Sequence, residues 1–364
     1  MDILKKVLSD SFLREFSEEH FLIKAMNGNA EVPDNIRDAM FHHCLPMGNK
    51  RMRIDDVGFC TSFAVRTVNM IHYFGERNIK NFFSSQLSAG KHKYSEWALL
   101  QALSEVACIN YALCMLPGEK YAEYEPKTNG KKNPEVRIIS KAPYSYRYDI
   151  EVKTARFPER KEYVENRQKF LRVNIPIDKN DLDELKESAE AMGYIFLYPS
   201  IGKLKDYINS AGEKFVLPET SDQCNILFIN WTFDDICEAK LMEPVACLCN
   251  EKTGLLKTDK YHASLGIDEE ALKRISAIVV YRDTVDSFTG MNLLTSVNVG
   301  NCKIIINDKF CEKVDRIKIL NELRIPEANV RRDGALFEIL GNISEPNSNA
   351  SQISEAVMKI WEKQ

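Results

Sequence analysis

Residues 144–153, YSYRYDIEVK, alternate without a break. Tyr144, Tyr146, Tyr148, Ile150 and Val152 share one parity; Ser145, Arg147, Asp149, Glu151 and Lys153 share the other. Only an extended chain brings residues two apart onto one face, so this run is a strand with an apolar and a polar side. It also fixes its neighbour. The preceding run PEVRIIS (134–140) is strand-like, and Ala142-Pro143-Tyr144 supplies the turn of a hairpin. With Pro143 at the centre, Val136 faces Ile150, Arg137 faces Asp149, Ile138 faces Tyr148, and Glu135 falls opposite Glu151. Directly opposed side chains stand ~4.5–5.5 Å apart, where like charges destabilise the pair. Two acids placed this way beside Lys153 call for a cation between them, and a divalent metal ion is the expectation.

The rest of the chain sets the context for that hairpin. At 364 residues it is long enough for two or three folding units. Residues 1–88 read as mainly helical, residues 89–310 as an α/β core, and residues 311–364 as helical again. Within the core, Ser95 is placed to cap a helix over about 95–116 that Pro117-Gly118 ends. YIFLY (194–198), NILFINW (225–231) and ISAIVVY (275–281) are continuous apolar runs of strand length, the form of strands covered on both faces. Helical segments at about 200–210, 234–249 and 268–274 separate them, so the fold class is α/β, with a mixed central sheet flanked by helices.

Composition excludes several functions. The formal net charge is −4, so no global cationic field draws the chain to nucleic acid, although a local groove can still carry positive charge. The ten cysteines form no paired zinc spacing and read as reduced, buried thiols of a cytoplasmic protein. The N-terminus MDILKKVLSDSFLREF is an amphipathic helix rather than a signal peptide, and no apolar run approaches the ~20 residues of a membrane span. No Gly-x-Gly-x-x-Gly or phosphate-loop motif is present. His42-His43 lack partners at zinc spacing, and Asp234, Asp235 and Glu238 are explained as first-turn helix acids.

Pro134-Glu135, then fifteen residues, then Glu151-Val152-Lys153 resembles the PD-(D/E)xK signature of the restriction-endonuclease-like nucleases. The order of a glutamate-bearing helix followed by two strands is also similar. The sequence departs from the usual pattern in having Glu135 where an aspartate is commoner; Asp149, on the same face, is a substitute. Glu-x-Lys recurs at Glu159–Lys161, Glu184–Lys186 and Glu238–Lys240, but none of these has an acid placed to oppose it across a hairpin.

The resemblance implies a restriction-endonuclease-like core and a nuclease that hydrolyses phosphodiester bonds with Mg²⁺ or Mn²⁺, on DNA rather than RNA. A role in restriction or phage defence rests on fold analogy. Glu135 and Glu151 are the expected metal carboxylates, with the Val152 carbonyl as a third ligand. Lys153 either positions the attacking water or stabilises the phosphate. The helix supplies a further acid, Glu105 or Glu96. Lys127, Lys131 and Lys132 before the hairpin, with Arg156, Arg160 and Lys161 after it, are the candidate phosphate contacts. The alternative is an inactive nucleic-acid-binding or assembly subunit of the same fold. Under either reading the helical ends are candidates for dimerisation or partner docking, and no membrane is involved.

Overall fold

The computed structural model describes residues 56–86, 96–128, 132–155, 170–231, 241–281, 302–340 and 350–363. Outside them lie the N-terminal helix expected from residue 1, His42-His43, Lys131, Arg156, Arg160, Lys161, Asp234, Asp235 and Glu238.

The expected hairpin is present in the expected register. Strands β2 (Val136–Ser140) and β3 (Tyr146–Thr154) are antiparallel, with Val136 opposite Ile150, Arg137 opposite Asp149 and Ile138 opposite Tyr148. A shorter strand, β1 (Lys120–Tyr124), adds to the outer side of β2; its polar composition had concealed it.

On the other side β3 pairs in parallel with β6 (Gln223–Asn230), and β6 with β7 (Ala277–Tyr281). β8 (Cys302–Ile306) follows β7 antiparallel, so among the described residues the mixed sheet has six strands in the order β1-β2-β3-β6-β7-β8. Two of the three apolar runs read from the sequence, NILFINW and ISAIVVY, are its central strands, buried on both faces as continuous hydrophobicity requires, whereas YIFLY forms a short strand, Ile195–Leu197, at the edge of a second sheet with Ile195 exposed.

The two parities of these strands feed two cores. Tyr148, Ile150, Val152, Ile226, Phe228 and Val279 face one core. Helices α1 (Asp56–Phe74), α2 (Glu76–Ser85) and α3 (Glu96–Met115) pack on that side. Leu227, Ile229, Trp231, Ile278 and Val280 face the other.

A smaller sheet, β5-β4-β9, joins β4 (Phe170–Val173) to β5 (Ile195–Leu197) in parallel and to β9 (Phe337–Leu340) antiparallel. Its core includes side chains of α4 (Lys179–Ala191). On the second face of the main sheet lie α5 (Ile201–Lys214), α6 (Met242–Cys249) and, after the short α7 (His262–Leu265), α8 (Glu269–Arg274).

The C-terminal stretch therefore contributes a strand as well as helices. Its α9 (Arg316–Leu323) buries Ile319 and Leu323 in the first core, where the Leu323 carbonyl accepts from the Tyr111 hydroxyl at 2.7 Å. A one-turn α10 (Val330–Asp333) follows, and α11 (Ala350–Lys363) packs on the small sheet. Among the described residues no helix is long and apolar enough to cross a membrane.

Candidate metal centre

The polar parity of β3 faces α5 rather than solvent. Asp149 and Glu151 are both fully buried, so the charges of this strand are neither a solvated edge nor a passive surface. Each acid has a different solution to its burial.

Asp149 is held by arginines. Arg137 donates from Nε and Nη2 at 2.7 and 2.9 Å, and Arg147 donates from Nη2 at 2.7 Å. Bidentate guanidinium pairing of this kind satisfies a buried carboxylate well. Asp149 is thus engaged structurally, which leaves Glu135 as the acid facing Glu151.

Glu151 is surrounded but not satisfied. The ammonium groups of Lys153 and Lys214 each lie 2.6 Å from its Oε1. Both ammonium groups pair with this one oxygen, while Glu151 Oε2 is buried without a hydrogen-bond partner. Burial, and next the charge of Glu135, raise its pKa, while the two lysines pull it back.

Lys214 also reaches Glu135 Oε1 at 3.0 Å, so one ammonium bridges the two opposed acids. The attraction that the hairpin alone lacked comes, in this structure, from the last residue of α5. Burial by itself lowers the Lys214 pKa, but the charges of Glu151 and Glu135 outweigh it and raise it. Sequence reading missed this lysine because α5 lies about sixty residues further along the chain and Glu213-Lys214 resembles any surface helix end.

Glu105 lies near enough to feel the charges of Glu135 and Glu151. It keeps some exposed surface, but its Oε2 is buried with no hydrogen-bond partner. Burial raises its pKa well above the ordinary carboxylate value, and Glu135 and then Glu151 add to the rise. Glu96 begins the same helix, and its side chain lies outside the described residues. Tyr124, at the end of β1, was not anticipated. Burial raises its phenol, followed by the charges of Glu105, Glu125 and Glu135.

The Val152 carbonyl has a distinct position. Arg147 donates its N–H to the Asp222 carbonyl, in the turn before β6, at 2.8 Å, and Ala155, just after β3, donates to the Asn230 carbonyl of β6 at 2.9 Å, so odd residues of β3 turn their backbone groups that way. Even residues turn theirs towards β2. One step beyond the Val136–Ile150 pair, the residue facing Val152 is Pro134, which has no N–H to give. The ladder therefore offers the Val152 carbonyl no donor. The next even carbonyl, Thr154, accepts instead from the Tyr207 hydroxyl of α5 at 3.0 Å.

Among the candidate phosphate contacts, Lys132 is exposed and pairs with Glu213 at 2.8 Å, next to Lys214; Lys127 is exposed further along the loop. As arranged here, no group of three His, Cys, Asp or Glu among the described residues stands close enough to hold a metal ion. An ammonium stands between the acids instead. The donors themselves are of the kind a hard divalent cation takes: all are oxygens, and Glu151 Oε2 and Glu105 Oε2 are buried without hydrogen-bond partners. No family model matches the chain, and no curated protein and no solved structure matches it.

Proposed function

We propose that the chain is a divalent-metal-dependent nuclease of the restriction-endonuclease-like kind, hydrolysing phosphodiester bonds, in DNA rather than RNA. The observation that carries this reading is the meeting of Glu135 and Glu151 at one ammonium, with Glu105 near enough for their charges to raise its pKa, and with Glu151 Oε2 and Glu105 Oε2 buried without hydrogen-bond partners. A purely structural cluster has no reason to leave such groups unsatisfied, because each costs roughly 1–3 kcal/mol. Carboxylates whose pKa is raised by burial and by neighbouring negative charge are a mark of functional sites.

Glu151, Glu135, Glu105 and the Val152 carbonyl would hold Mg²⁺ or Mn²⁺. When bound, such an ion supplies Lewis acidity and a water of lowered pKa. Lys153, fixed on β3 beside Glu151, keeps a positive charge where the scissile phosphate gathers negative charge. Lys132 and Lys127 lie on the approach to the hairpin and extend the phosphate track.

Supercoiled plasmid and short DNA and RNA duplexes, incubated with Mg²⁺, Mn²⁺ or a chelator, test the reading. Cleavage that requires the metal and is lost in Glu151→Ala and Lys153→Ala is expected. Cleavage unchanged by both substitutions removes the site assignment.

A second reading is favoured by one observation, the bridging of Glu135 and Glu151 by Lys214. If that bridge is permanent, the chain is a non-catalytic nucleic-acid-binding or assembly subunit. Nucleic-acid binding indifferent to divalent ions, with no cleavage under any of them, is its signature.

A further inference from the structure

We propose that Lys214 is a resident counter-cation of the carboxylate pocket, exchanging places with the divalent ion. In the metal-free protein its ammonium holds Glu135 and Glu151 together, and seating the ion turns it out. This inference rests on the metal-dependent reading above.

Three structural features support the exchange. The first is shared space. Lys214 Nζ lies 2.6 Å from Glu151 Oε1 and 3.0 Å from Glu135 Oε1. A Mg²⁺ ion sits about 2.0–2.1 Å from its oxygen ligands, so both cations would crowd one carboxylate oxygen. The second is charge. Glu105, Glu135 and Glu151 bring three negative charges when ionised, against two positive charges on Lys153 and Lys214. A divalent ion added to all of them leaves the buried cluster with an excess positive charge. A divalent ion replacing Lys214 leaves it neutral.

The third is which lysine is able to leave. Lys153 is two residues from Glu151 on the same strand, and its place is set by the sheet. Lys214 is the last residue of α5, on a flexible four-carbon stem with its side chain 15% exposed. The backbone below it is fixed. Gly212 packs so closely on α8 that an added Cβ would stand 2.1 Å from Ala271 Cβ, and Arg274 Nη1 donates to the Gly212 carbonyl at 2.9 Å. Motion is therefore confined to the side chain, the property wanted of a latch.

The experiment uses the full chain and Mn²⁺ as the probe, without any nucleic acid. Lysines are acetylated with a short pulse of an amine-reactive ester and each site is quantified by mass spectrometry, with and without saturating Mn²⁺. Lys214 labelling is expected to rise severalfold with Mn²⁺ while the exposed Lys179 stays constant. In parallel, calorimetry compares Mn²⁺ binding by the wild type, Lys214→Met and Glu151→Gln. Removing the competing ammonium is expected to tighten Mn²⁺ by about tenfold, in the range typical of coupling between two ligands.

If Mn²⁺ binds the wild type, is lost in Glu151→Gln, and leaves Lys214 labelling unchanged, the exchange is wrong and the metal site stands. If Mn²⁺ binds neither the wild type nor Lys214→Met, both fall. Should Lys214→Met not fold, the labelling of the wild type decides alone.

Discussion

Arg137 and Asp149 face each other across the β2–β3 hairpin and are joined by two parallel hydrogen bonds, Nε to Oδ1 at 2.7 Å and Nη2 to Oδ2 at 2.9 Å. Asp149 is fully buried, and Arg147 closes on it from the same strand. Breaking such a pair from one side leaves charge without compensation, at a cost of about 3–5 kcal/mol. Asp149→Asn is expected to lower the unfolding free energy, read by urea titration, by that order while leaving the number of Mn²⁺ ions bound unchanged. Loss of the ion with stability retained would instead make Asp149 a ligand.

That pair also marks how far the sequence could be read. Strict alternation over 144–153 and a proline-centred turn fix a register, because a one-residue slip would send Tyr148 and Ile150 to the polar side. The central strands were legible for the same kind of reason: strands buried on both faces are written as unbroken apolar runs. β1 was not, since KYAEY at a sheet edge alternates half-buried and exposed residues and reads as loop. β4 and β9 form only within a second sheet whose partners lie far apart in the chain. The acids were visible in the sequence, but Lys214 was not. Which cation stands between two carboxylates is decided by the packing of a helix from elsewhere, and no local pattern announces it.

Pro134 carries an expectation of its own. It stands where the ladder would give the Val152 carbonyl a donor, and proline has none. Pro134→Ala restores an N–H at that position. A gained hydrogen bond is worth about 0.5–1.5 kcal/mol, so a small rise in thermal stability is expected, together with weaker Mn²⁺ binding as the carbonyl is taken up. Calorimetric titration of the variant reads both. A rise in stability with unaltered Mn²⁺ affinity would exclude the Val152 carbonyl as a ligand.

Glu105 should make stability depend on pH in an unusual direction. Burial, Glu135 and Glu151 raise its folded pKa above the ordinary value of 4.5. In that window the folded chain binds more protons than the unfolded one. Stability is therefore lost as pH rises from 4.5 towards the folded pKa, and stays lost above it. Glu105→Gln removes the titration. The variant is expected to exceed the wild type in metal-free stability by about 1–3 kcal/mol at neutral pH, with the gap closing as pH falls towards 4.5. Urea unfolding at several pH values checks it; a gap that widens on acidification contradicts the sign.

Gly212 tests how the pocket is positioned from behind. Replacing a helical glycine with alanine ordinarily stabilises by roughly 0.5–1 kcal/mol through backbone entropy. Here the new Cβ would stand 2.1 Å from Ala271 Cβ and 2.4 Å from its Cα, and the second contact is backbone that cannot rotate aside. Overpacking of this kind costs about 1–3 kcal/mol, so the clash wins and Gly212→Ala is expected to be destabilising. Adding Ala271→Gly removes the first contact and leaves the second, which makes rescue partial rather than complete. Because Lys214 lies two residues beyond, displacement of α5 should loosen its hold on Glu135 and Glu151 and raise its acetylation even without metal. Thermal unfolding of both single variants and the double, with Lys214 labelling alongside, measures the two effects together. A stabilised Gly212→Ala would show that the α5–α8 contact is not what sets the lysine in place.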